Sequence, residues 1–160
     1  MSPTVIPQYY GDPGTFQALG IMRQQVESAY LNPLIRERAA SLAGLCNRSK
    51  ACEHTAFCDF VRDNVQYVND PAGVEVLADP VTFIEQRLRS GQLAFGDCAQ
   101  MVPYLAALLK TCGHMPKFKV IGDAQGFHHV YIDCEGTELD PTMNPGNLPD
   151  YYDRYMLIEV

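Results

Sequence analysis

The chain contains no tryptophan, and charged residues make up only 19% of it. Set beside 47% hydrophobic residues, so little charge excludes a disordered chain and fits a packed globular core. Positive charge is the scarcer sign: 12 Lys and Arg stand against 19 Asp and Glu, for a net charge of −7. An acidic chain repels phosphate backbones, so no nucleic-acid partner is expected. The densest basic group, Arg36, Arg38, Arg48 and Lys50, is interleaved with Glu37 and flanked by Glu53, and reads as a solvated face. Long apolar runs are missing as well, so no membrane span is expected. The first residues, Met-Ser-Pro-Thr-Val-Ile-Pro, offer neither the basic nor the apolar region of a secretory signal, and a cytoplasmic location is expected.

Thiols, by contrast, are plentiful. Six cysteines occupy positions 46, 52, 58, 98, 112 and 134. In a reducing compartment they are expected as free thiols rather than as a disulfide framework. Cys46, Cys52, His54 and Cys58 could be weighed as a structural zinc set, but their spacing follows no finger pattern, and scattered thiols or one opportunistic disulfide explain them more economically. No metal and no cofactor are therefore expected.

A length of 160 residues suits one domain. Residues 1–14, rich in Pro, Gly and Tyr, read as an extended arm. Residues 15–90 read as helical. Phe16, Leu19, Met22, Val26 and Tyr30 recur at helical spacing behind Thr15 as a cap, and Asn32-Pro33 and Asp79-Pro80 each read as a cap followed by proline at N1. A third helix is expected over 52–65, with Phe57, Phe60, Val61 and Val65 facing the core. Residues 91–160 read as one more helix and then strands. Met101, Leu105, Leu108 and Cys112 form a stripe closed by Gly113, with Pro103 predicting a bend or a late start. Phe118, Val120 and Phe127–Cys134 suit strands, Glu135-Gly136 suits a hairpin turn, and Tyr155–Val160 suits a last strand. Helices first and an antiparallel sheet second make the class α+β.

Three residues of this frame carry chemistry. Cys98 follows Gly96-Asp97 at the start of the apolar helix, where free N–H groups and the helix dipole favour a thiolate and a developing oxyanion. His129 lies in the strand Phe127-His128-His129-Val130-Tyr131, and alternation lets only one of the adjacent histidines address a given site. A two-residue turn at Glu135-Gly136 pairs 134 with 137 and 132 with 139, which sets Asp140 diagonal to His129 on the same face. A lone strand histidine or a carboxylate before proline is ordinarily structural. Their convergence with a cysteine is what points to a Cys–His–Asp relay.

Gly96-Asp97-Cys98 with its apolar helix, then His129-Val-Tyr-Ile-Asp, then Leu139-Asp140-Pro-Thr142, together resemble the transglutaminase-like core of cysteine peptidases and acyltransferases. The likeness spans roughly residues 55–143. The segment Asn64-Val-Gln-Tyr67-Val and the upstream helices are similar to bacterial and tailed-phage members. The resemblance implies a papain-like arrangement, N-terminal helices and a central cysteine-bearing helix packed on an antiparallel sheet. It implies that Cys98 attacks a carbonyl, His129 takes and returns the proton, and Asp140 orients the imidazole. Tyr67 and Tyr131 are candidate pocket residues. Gln92 precedes Cys98 at the interval where papain-like enzymes place an oxyanion-donating glutamine. The chain departs from many members in having Ala99-Gln100 after the cysteine, no tryptophan, and Pro103 in the helix.

The expected function is thiol-dependent hydrolysis or transfer of an amide or peptide acyl group, with a protein or peptide substrate. Hydrolysis is favoured over cross-linking, since a core of this size has little surface for two protein substrates. The alternative is a non-enzymatic phage virion or assembly component that retains the fold and would be virion-associated. A zinc-stabilised binding module is the third reading. Loops 69–78, 91–97 and 141–149 are the expected seat of specificity.

Overall fold

A computed structural model describes residues 3–7, 12–144, 147–149 and 151–160. Three helices lead: α1 (Asp12–Ala29), α2 (Pro33–Ala43) and α3 (Lys50–Asn64). Their starts follow local chemistry. The Asn32 side chain accepts the Leu34 N–H at 2.9 Å, with Pro33 at N1, where an N–H has no helical partner. Ser49 accepts the Cys52 N–H at 3.3 Å to open α3. A π-helical turn, Val81–Glu85, runs into the short α4 (Gln86–Arg89).

The last helix, α5 (Cys98–Thr111), is the centre of the fold. Every residue from Ala99 to Leu109 is buried. The helix packs against α1, α2 and α3 and against the strands β5 (Pro116–Asp123) and β6 (Gly126–Cys134). Pro103 neither delays nor breaks it. Burial on all sides offsets the lost backbone bond, and the expected late start is not seen.

β5 and β6 are the middle of a four-stranded antiparallel sheet whose edges are β7 (Thr137–Leu139) and β8 (Arg154–Glu159), in the order β7-β6-β5-β8. Glu135 and Gly136 have φ of 54° and 87°, the paired positive values of a tight hairpin turn. The register is the one such a turn dictates, Cys134 opposite Thr137 and Ile132 opposite Leu139. Helices and a separate antiparallel sheet share one core, and the architecture is α+β.

The short strands were the least visible in the sequence. The expected arm is instead β1 (Thr4–Pro7), which pairs antiparallel with β3 (Val74–Leu77), and α1 begins at Asp12 rather than at Thr15. Residues 1–2 and 8–11 of the arm, and 145, 146 and 150 at the end of the 141–149 loop and just beyond it, lie outside the described residues. The loops expected at 69–78 and 91–97 contain β3 and β4 (Ala94–Gly96), and β4 pairs parallel with β2 (Val65–Tyr67). Strands of three or four residues are too short to show an alternating pattern.

Two further interactions fix the frame. Glu85, fully buried, accepts from Tyr104 Oη at 2.7 Å, from Arg38 Nη2 at 3.1 Å and from Arg89 Nε at 3.3 Å, joining α2, the π-helical turn and α5. Cys46 and Cys52 form a disulfide across the turn between α2 and α3, a single bridge in place of a full set of free thiols. The Ser49 N–H bonds the Cys46 carbonyl at 2.9 Å, and this tight turn is what brings the two sulfurs together. The same bond dissolves the weighed zinc set: Cys58 is buried against Arg62, and His54 turns toward His114. No helix among the described residues is long and apolar enough to cross a membrane.

Candidate active site

Each residue of Gly96-Asp97-Cys98 has a separate physical task. Asp97 caps α5, its Oδ1 accepting the Ala99 N–H at 2.8 Å. Gln100 answers from the third helical position, its Oε1 accepting the Asp97 N–H at 2.7 Å to complete a capping box. The Gln100 amide also donates to the Val76 carbonyl, tying β3 to the start of the helix. Gly96 leaves room for this arrangement, since a Cβ there would lie 2.8 Å from the Gln100 Cβ. Cys98, half-buried, thus occupies the first turn of a rigidly held helix.

His129 reaches the site from β6. Its Nε2 lies 2.7 Å from Asp140 Oδ2. A carboxylate only accepts, so Nε2 carries the proton and Nδ1 keeps the lone pair. Asp140 is buried just past the end of β7, and its other oxygen accepts the Thr142 N–H at 2.9 Å and the Thr142 hydroxyl at 2.7 Å. Arg62 holds the segment from beneath, donating to the Asp140 carbonyl at 3.1 Å and to the Met143 carbonyl while pairing with Asp59.

Cys98 and His129 line one cavity of about 660 Å³. The backbone N–H of Val130, next after His129, is directed at the Cys98 sulfur. Tyr67, Asp70, Glu75, Asp97 and His128 share the lining. That both histidines reach the cavity departs from strict alternation. A bulge between Ile121 and Gly122 pairs Ile121 with His129 and Gly122 with Phe127, leaving His128 as the extra residue. Gly122 is needed there, because a Cβ would lie 2.2 Å from the Gly126 carbonyl oxygen.

The cavity is strongly acidic on its β3 side. Carboxylate oxygens of Asp70, Glu75 and Asp97 lie within 4.8 Å of one another. Burial, then the charges of Asp97 and Asp70, push Glu75 up to about 7. Burial, then Asp70, push Asp97 up to about 6, and burial also raises Asp70. The Cys98 thiol is pushed up as well, by burial first and by Asp97 next, against the opposing pull of the Val130 N–H. Burial thus works against the thiolate that the helix start was expected to favour, and the sulfur calls for a base to accept its proton.

The structure thus brings His129 and Asp140 into contact and sets Cys98 in the same cavity. Tyr67, 44% exposed, lines that cavity, and its hydroxyl is pushed up to about 12 by burial and by Cys98 and Asp97. Tyr131 is buried, stacks on His129 at a ring distance of 6.0 Å and does not line the cavity. Gln92 is not brought to the site. It is exposed at the turn after α4 and absent from the cavity lining, because β4 occupies the residues that a free loop would use to fold it back. Sequence reasoning missed Asp70, Glu75 and Arg62. Nothing in their local spacing marks them, since β3 and α3 bring them in from distant parts of the chain.

No family model and no curated protein matches the chain. A solved structure of a candidate cysteine protease from Cytophaga hutchinsonii is similar at a TM-score of 0.47 and 15% identity. The match covers 86% of this chain and 48% of that one, so the chain spans about half the length of its neighbour. A likeness of that degree carries no argument about activity, and the chemistry rests on the residues themselves.

Proposed function

We propose that the chain is a single domain of transglutaminase-like fold and a thiol enzyme that hydrolyses or transfers an amide acyl group. The observation that carries this reading is the 2.7 Å contact of His129 Nε2 with buried Asp140, His129 lining the same cavity as Cys98 at a helix start. His129 Nδ1 takes the thiol proton as sulfur attacks the carbonyl carbon. Asp140 steadies the imidazolium so formed. Ala99 N–H is committed to Asp97, which leaves the Cys98 N–H as the donor for the oxyanion. The imidazolium then protonates the leaving amine, and water or a second amine releases the thioester. Hydrolysis is the favoured outcome, with a protein or peptide as acyl donor and a cytoplasmic setting.

The acidic wall favours a second reading. Burial, and after it Asp97 of that wall, raises the Cys98 thiol, as a virion or assembly component relieved of catalysis could tolerate. A peptide and amide library incubated with the protein separates the two. The enzyme reading expects released amines with the parent chain and none with Cys98→Ala. Identical product profiles for the two proteins would leave the scaffold reading.

A further inference from the structure

A second cluster of metal-binding side chains lies at the opposite end of α5. His54 comes from α3, His114 follows the end of α5, and Cys134 closes β6. All three are buried, and one ligand atom from each lies within 4.8 Å of the others. His54 Nε2 and His114 Nδ1 face each other at 3.3 Å. Two nitrogens bound to one tetrahedral zinc at about 2.0–2.1 Å stand about 3.3 Å apart, and a nitrogen and a sulfur about 3.6 Å apart.

The surroundings match such a site. His114 Nε2 lies 2.7 Å from Glu53 Oε2, so Nε2–H donates to the carboxylate and the Nδ1 lone pair is directed at His54. A carboxylate behind a ligating imidazole fixes its tautomer and orientation. Glu135, the next residue in the chain, brings Oε2 within 4.0 Å of His114 Nδ1 and is itself held by Lys50 at 2.8 Å. Two imidazoles with one thiolate select zinc over magnesium or calcium.

We propose that His54, His114 and Cys134 supply three ligands of a structural zinc site that fastens α3 and the end of α5 to the sheet. It is independent of the chemistry assigned to Cys98, and it departs from the expectation that no metal is bound. On binding, the Cys134 thiol gives its proton to solvent and His54 carries its own on Nδ1. The competing arrangement is a metal-free chain of hydrogen bonds from His54 through His114 to Glu53.

The test uses the whole protein, stripped with a chelator and titrated with cobalt(II) and zinc(II). The site predicts one tightly held zinc per chain, and a cobalt form with tetrahedral visible bands and a near-ultraviolet sulfur-to-cobalt band. Cys134→Ser should abolish the sulfur band, whereas Cys112→Ser and Cys98→Ser should keep it. His114→Gln serves as a second variant should Cys134→Ser fail to fold, and it should lower zinc affinity at least a hundredfold. Absence of stoichiometric zinc in the parent, or a sulfur band that survives Cys134→Ser, would overturn the proposal in favour of the hydrogen-bonded chain.

Discussion

The two ends of α5 make opposite uses of the same residue types. At its first turn a half-buried cysteine, a histidine and carboxylates surround a cavity of about 660 Å³. Beyond its last turn a cysteine and two histidines are buried, with a disulfide at the nearby start of α3. The helix that separates them is 14 residues long, about 21 Å. Access makes the difference. Groups around a cavity can exchange protons with a substrate, whereas groups sealed between α3 and the sheet can only hold elements together. As proposed, one end serves chemistry and the other rigidity, and variants should divide along that line.

The largest effect is expected at the open end. Asp140→Asn keeps the shape but loses the charge that orients His129, and should lower turnover or capture of an electrophile by about 10²–10⁴-fold. The melting temperature should change far less than the rate, and equal losses in both would blur the division. Next comes the scaffold between the ends. Glu85→Ala orphans the buried Tyr104 hydroxyl and removes the carboxylate shared by Arg38 and Arg89, and should cost about 3 kcal/mol in urea unfolding. At the closed end, reducing Cys46–Cys52 should cost about 2 kcal/mol, the loop it closes being short. The rate of Cys98 labelling should be unchanged by that reduction, and a coupled change would show that the ends communicate.

The smallest effect concerns the acidic wall. Glu75 and Asp97 hold their protons up to about 7 and about 6 in the folded chain. Ordinary carboxylates in the unfolded chain release theirs near pH 4 (roughly). Between those limits the folded state binds more protons, so stability falls as pH rises through the window. Glu75→Gln should therefore raise the melting temperature by about 2 °C at about pH 8, and the gain should vanish toward about pH 4. A gain independent of pH would mean that the carboxylates do not share their charge.

How much of this was legible in the chain depends on distance. The hairpin register could be read locally, because Glu135-Gly136 fixes which residues face each other, and with it the meeting of His129 and Asp140. The helices could be read from caps and apolar stripes. Two things could not. The Ile121–Gly122 bulge breaks the alternation that seemed to exclude His128, and a bulge leaves no periodic mark. The carboxylates of Asp70, Glu75 and Asp97 and the set His54, His114 and Cys134 are assembled by packing, with no spacing in common. The zinc set weighed from proximity in sequence joined cysteines that bond each other, while His54 found its neighbours far along the chain.

The central claim is that His129 activates Cys98. It is tested most directly by treating the protein with a peptidyl epoxide and mapping the adduct by mass spectrometry, beside His129→Ala. The account predicts a single adduct on Cys98 that His129→Ala abolishes. Adducts spread over Cys58, Cys112 and Cys134, or a Cys98 adduct formed at the same rate without the imidazole, would contradict it.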